Sequence, residues 1–187
     1  MTRVAILASG KGSNAKALID YFSNNASIEV AVVCSNRKSA GVLEIAENSN
    51  IESFSFSKVE MNSGVLLLKL QSCKIDWVIL SGFLLKIPSE LLSSFEDRVV
   101  NIHPSLLPKH GGKGMHGMHV HNAVLESGEE ESGMTIHKVS SAYDEGDIVF
   151  QVSVDISQCK SAEEIASKVL DLEHKYYPRI VATMIND

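Results

Sequence analysis

Cysteine is scarce in this chain: Cys34, Cys73 and Cys159 are odd in number, far apart and without CxxC spacing. That pattern excludes a disulfide framework and suits free thiols in a reducing compartment, read most simply as small buried apolar residues. Runs of five or six Lys or Arg are absent, and the formal net charge is −6. A nucleic-acid backbone needs a basic footprint, so no nucleic-acid partner is expected. Long hydrophobic runs are missing too. The N-terminal apolar run, Val4 to Ala8, is only five residues long, too short for the apolar region of a signal peptide or for a membrane span. A cytoplasmic protein with no membrane partner is the expectation. No internal repeat or low-complexity tract is visible, and 187 residues suffice for one substantial core but not for two ordinary domains and a linker. One domain, 1–187, is expected.

What is present is alternation. Short β-branched runs at 3–8, 28–34, 51–56, 76–80 and 98–102 are separated by stretches of helical period near 13–24, 40–49, 61–72 and 88–95. Strands alternating with helices build a parallel sheet with helical crossovers. Pro88 suits the first turn of its helix. Beyond residue 115 the rhythm changes to a helix near 118–127, then alternating runs at 133–140 and 147–155 close enough to pair antiparallel. A last amphipathic helix runs from Ala162 towards Ile185, and Ser161 with Glu164 forms a capping box before it. The predicted class is α/β: a single doubly wound, mostly parallel sheet flanked by helices, with antiparallel strands near the C-terminal end. The segment from Pro108 to Met118 carries four glycines and no apolar period, so it is mobile or shaped around a ligand.

Three stretches carry chemistry. Ser9-Gly10-Lys11-Gly12-Ser13-Asn14 joins the first strand to the first helix, where backbone N–H groups and the helix dipole favour an anion. A phosphate monoester is the natural guest. Gly10-x-Gly12-x-x-Ala15 also fits a dinucleotide fingerprint, but the second strand ends Cys34-Ser35-Asn36-Arg37-Lys38 without an acid for a ribose hydroxyl. A purely structural glycine turn, with Ser13 as the helix cap, is the third reading. At the end of the fifth strand, Asn101 and His103 alternate to one side. There they resemble a pair of donors for a developing oxyanion, or else caps for backbone groups. Pro104 keeps His103 extended. A histidine needs a nearby carboxylate to stay protonated at neutral pH, and Asp144 is the best placed of the three acids in Asp144-Glu145-Gly146-Asp147.

Four histidines, His110, His116, His119 and His121, crowd into twelve residues. No cysteine or carboxylate joins them at a familiar ligand spacing, so no metal is expected. A non-catalytic phosphate- or nucleotide-binding module would use Gly10 to Asn14 alone and is the main alternative to an enzyme.

Gly12-Ser13-Asn14, Ser81-Gly82-Phe83-Leu84, Asn101-Ile102-His103-Pro104-Ser105-Leu106-Leu107-Pro108 and Asp144-x-Gly146 together resemble the folate-dependent formyltransferase family, above all its members of purine synthesis. The resemblance spans nearly the whole chain. It implies transfer of the formyl group of 10-formyltetrahydrofolate, a cosubstrate, to the amine of glycinamide ribonucleotide through a tetrahedral intermediate. Asn101 and His103 would stabilise the oxyanion, with Asp144 holding His103 as imidazolium and shuttling protons. Gly12, Ser13 and Asn14 would seat the phosphate and Glu173 the ribose. Leu84, Leu85 and Ile87 would line the folate, with Ser140, Ser141 and Tyr143 offering groups from the 140–144 loop. Thr135 and His137 would act as supports. Some members carry a lysine for the phosphate where this chain has Leu170, so Lys11 or Lys113 is expected to substitute. The segment 109–121 is longer than in the best-known members, leaving open which of its histidines faces substrate. Formyltetrahydrofolate hydrolase is the alternative within enzymes, although such proteins and their tRNA-modifying kin typically carry a further domain. Monomer and homodimer are both compatible.

Overall fold

Residues 4 to 8 are all completely buried, as a strand covered on both faces requires. The computed structural model describes residues 1–187 as β1 (Thr2–Leu7), α1 (Ser13–Phe22), β2 (Ile28–Ser35), α2 (Gly41–Asn48), β3 (Glu52–Ser55), α3 (Lys58–Asn62), α4 (Val65–Ser72), β4 (Trp77–Leu80), α5 (Ser89–Ser94), β5 (Val99–His103), α6 (Met118–Glu126), β6 (Glu131–Lys138), β7 (Ile148–Asp155) and α7 (Ala162–Asn186). Strand order in the single sheet is β3-β2-β1-β4-β5-β6-β7. β1 to β5 pair parallel, whereas β6 runs antiparallel to β5 and β7 to β6. Val4 and Ile6 pack with α1, α2, α6 and α7 on one face; Ala5 and Leu7 pack with α3, α4 and α5 on the other. The expected doubly wound, mostly parallel sheet is the observed one. No helix is long and apolar enough to cross a membrane.

Chain order reverses at β1, which lies between β2 and β4. A crevice opens outside the carboxyl ends of strands at such a switch point. Ser9 ties its two sides together: its hydroxyl donates to Asn36 Oδ1 at 2.6 Å and accepts from the Leu84 N–H at 2.9 Å.

Local corrections have local causes. The helix expected over 61–72 is two helices, because Ser57 and Glu60 form a complete capping box that starts α3 early, and Gly64 at φ +85° breaks the run before α4. At α7 only half of the expected box exists. Ser161 accepts from the Glu164 N–H, but the Glu164 carboxylate turns to the Lys160 N–H at 2.7 Å. Pro88 is the residue before α5 rather than its first. Ser13 is the first residue of α1, not its cap. Gly12 precedes it at φ +84°, and no side chain caps the helix. A Cβ at Gly12 would lie 2.7 Å from Val42 Cβ, so the turn needs glycine for both conformation and space.

Tyr177, fully buried on α7, donates its hydroxyl to the Leu80 carbonyl at the end of β4 at 2.7 Å. Tyr177→Phe is expected to lower unfolding free energy by about 1 kcal/mol, read as a shift in urea midpoint with an unchanged slope.

Candidate active site

Asn101 and His103 sit on β5 opposite His137 and Thr135 of β6. The Thr135 hydroxyl donates to Ser105 O at 2.6 Å and accepts from Leu107 N at 3.1 Å and Gln151 Nε2 at 2.9 Å. It thus pins the chain just past His103. His137 Nδ1 donates to the Lys138 carbonyl at 2.8 Å, leaving Nε2 to accept from Asn101 Nδ2 at 3.0 Å. One amide hydrogen of Asn101 is so engaged, and the other remains for a ligand. The support expected of Thr135 and His137 has this geometric form.

His103, 4% exposed, donates from Nε2 to the His110 carbonyl at 2.8 Å and turns Nδ1 to Asp144 Oδ2 at 3.6 Å. Burial pulls the His103 pKa down more than the Asp144 charge pulls it up, so the ring lies below its ordinary value. Desolvation thus outweighs the carboxylate that was expected to hold a standing imidazolium, and Nδ1 of the ring faces Asp144. Burial pushes the Asp144 carboxyl up, but the His137 and His103 rings and the Gly112 N–H, donated at 2.8 Å, outweigh it and leave it below the usual carboxylate range. Asp144 reaches this place through a tight crossing. It has φ +55°, and a Cβ on Gly146 would fall 1.7 Å from the Lys138 carbonyl. Only glycine lets the loop cross β6 there.

A cavity of about 810 Å³ joins this cluster to the first turn and to α7, with Lys11, Ser13, Asn14, Lys113 and Glu173 on its walls. Gly12 shapes the turn without lining the cavity. Leu170 lines this cavity, and Lys11 and Lys113, the two lysines expected to serve the phosphate in its stead, line the same space. Asn14 donates to Glu173 Oε2 at 2.8 Å, and its own Oδ1 is buried without a partner. Leu84 opens on this cavity. Leu85, Ile87 and Ser140 line a small neighbour of about 60 Å³, and Ser141 lines a third space of about 550 Å³. Tyr143 borders all three, so the residues expected around folate form one continuous wall beside the Asn101–His103–Asp144 cluster.

The protein-family model described as "Formyl transferase" matches residues 2–181. The chain belongs to the formyl transferase family. It is 37% identical to the chloroplastic phosphoribosylglycinamide formyltransferase of Arabidopsis thaliana over 99% of this chain and 66% of that protein. The phosphoribosylglycinamide formyltransferase of Escherichia coli is 32% identical over 96% and 85%. Among solved structures, glycinamide ribonucleotide transformylase 1 of Symbiobacterium toebii superposes with a TM-score of 0.91 at 30% identity, covering 100% of this chain and 88% of that one. The chain spans 66% and 61% of the length of two chloroplastic relatives it matches.

In this formyl transferase three site features had no explicit sequence prediction. The His110 carbonyl and the Gly112 N–H are backbone groups, invisible in residue letters. Of the crowded histidines, it is His121, on α6, that is buried against the cavity, with Nδ1 unpartnered and the ring held below its ordinary pKa by burial and then by His103. Its place on the buried stripe with Val120 and Val124 is the signal that distinguishes it. No three His, Cys, Asp or Glu side chains gather in metal-holding geometry.

Glu173 is 7% exposed, and burial raises its pKa to about 7 against the opposing Asn14 hydrogen bond. Unfolding returns it to about 4.5. Below that pH the carboxyl is protonated in both states; above it the unfolded chain loses its proton first, so this contribution to stability is lost between about pH 4.5 and 7. His103 and His121, both lowered, act in the opposite sense. The difference in melting temperature between wild type and Glu173→Gln is therefore expected to move in favour of the variant as pH rises through that window, as measured by calorimetry.

Proposed function

We propose that residues 1–187 form one catalytic domain that transfers the formyl group of 10-formyltetrahydrofolate to the amine of glycinamide ribonucleotide, in a reducing, cytoplasmic setting that suits its free thiols. The observation that carries this reading is the meeting of Asn101, His103 and Asp144, from separate parts of the chain, on one cavity wall. The amine attacks the formyl carbon and the carbonyl oxygen turns negative. Asn101 offers its spare amide hydrogen to that oxygen. His103, neutral at the outset, takes the proton shed by the amine on Nδ1, through Asp144 and water. It becomes the second donor only as the oxyanion forms. Collapse of the intermediate then returns the proton to the departing nitrogen of tetrahydrofolate. A donor whose charge appears with the transition state discriminates it from the ground state.

The rest of the cavity suits the two substrates. The uncapped start of α1, with Ser13 and Asn14, favours a phosphate. Glu173, with the unpartnered Asn14 Oδ1 and His121 Nδ1 nearby on the same cavity, suits ribose hydroxyls. The apolar wall of Leu84, Leu85 and Ile87 suits the folate ring, with Ser140, Ser141 and Tyr143 beside it. The third space carries Lys58, Lys86 and Lys113 and no acid, which fits the carboxylates at the far end of a folate.

Tetrahydrofolate release from 10-formyltetrahydrofolate should require glycinamide ribonucleotide; release without it would mean hydrolysis, and binding without release a non-catalytic module. Asn101→Ala, His103→Ala and Asp144→Ala should each lower kcat roughly 10²- to 10³-fold while circular dichroism stays native. Lys11→Ala or Lys113→Ala should raise the KM for the ribonucleotide roughly tenfold with kcat little changed. Unchanged KM in both variants would reject a lysine contact to the phosphate.

A further inference from the structure

Proton transfer at His103 depends on which of its ring nitrogens is bare. A carbonyl oxygen only accepts, so the contact of His103 Nε2 with His110 O at 2.8 Å places the ring hydrogen on Nε2 and leaves Nδ1 open. That carbonyl belongs to a residue in an uncommon conformation, since His110 has φ +53° although it is not glycine. Such a backbone persists only where its surroundings hold it. The holder is Glu129, in the turn between α6 and β6. Its Oε1 meets His110 Nε2 at 2.8 Å and its Oε2 meets Lys109 Nζ at 3.1 Å. The Ser105 hydroxyl donates to the Lys109 carbonyl at 2.7 Å from the other side. Neither His110 nor Glu129 lines the cavity.

We propose that Glu129, acting through His110, is a positioning residue that fixes the tautomer of His103. It grips the His110 ring, the grip holds the His110 carbonyl, and the carbonyl holds the hydrogen of His103 on Nε2. A lowered Glu129 carboxyl, drawn down first by its hydrogen bond with His110 and then by Lys109 against the penalty of burial, keeps the grip charged. The substrates and step on which this bears are those of the proposed function, but the tautomer is a property of the protein alone.

The test is nitrogen-15 NMR of histidine-labelled protein, with the His103 signals identified by their loss in His103→Gln. In the wild type the His103 ring should show hydrogen on Nε2 only. Glu129→Ala should give a mixture of the two tautomers, and Glu129→Gln, whose amide oxygen still accepts from His110, should restore the single form. His110→Phe keeps the backbone carbonyl but loses the grip, and should match Glu129→Ala even if that variant folds poorly. In the formyl transfer assay Glu129→Ala should lose roughly tenfold in kcat, with both KM values held within about twofold as for a group that acts only through another, and Glu129→Gln should recover most of it. A single Nε2–H tautomer in both Glu129→Ala and His110→Phe would overturn the proposal. A tautomer change in a protein without transferase activity would instead leave it standing and reject the assigned reaction.

Discussion

One hydrogen bond, from His103 Nε2 to the carbonyl of His110, governs the chemistry open to this site. It spends one nitrogen of the imidazole on the protein and so dedicates the other to Asp144 and the cavity. Burial draws the ring's pKa below its ordinary value against the pull of Asp144, which favours the proposed role of a group that first accepts a proton over that of a permanent electrostatic donor. The carboxylate at 3.6 Å is close enough to favour the charged ring once it forms.

The fold delivers this arrangement by joining two kinds of pairing. Parallel strands β1, β4 and β5 end together and open the crevice, while the antiparallel return through β6 brings His137 opposite Asn101 and Thr135 opposite His103. A fully parallel sheet would place a helix where that return runs. The β6–β7 turn then falls at the strand ends, and the Gly146 crossing aims Asp144 inward. Membership of the formyl transferase family rests on residues 2–181, yet these few register relations are what bring Asn101, His103 and Asp144 to one wall.

Much of this was legible in residue letters. The alternation of Asn101 and His103 ahead of Pro104 marked a strand end with chemistry on one side, and the change of rhythm after residue 115 announced the antiparallel strands. Glu173 was readable in principle: Ile165, Val169, Glu173, Tyr177 and Val181 recur every fourth residue along α7, and all five are buried. An acid in that series belongs to the packed stripe rather than to a solvated face. Other features leave no such trace. The split of α3 from α4 turns on one glycine's φ, and the charge state of His103 is a balance between desolvation and attraction that distance and burial decide. Backbone donors and acceptors, the His110 carbonyl among them, have no letter at all.

Glu173 stands one turn before Tyr177 on the same face of α7, and Tyr177 is moored to the end of β4. The helix cannot roll to withdraw the acid without tearing that mooring. The acidic wall of the cavity is therefore a fixed gauge, and accommodation to a guest of different size falls to the glycine-rich stretch across from it.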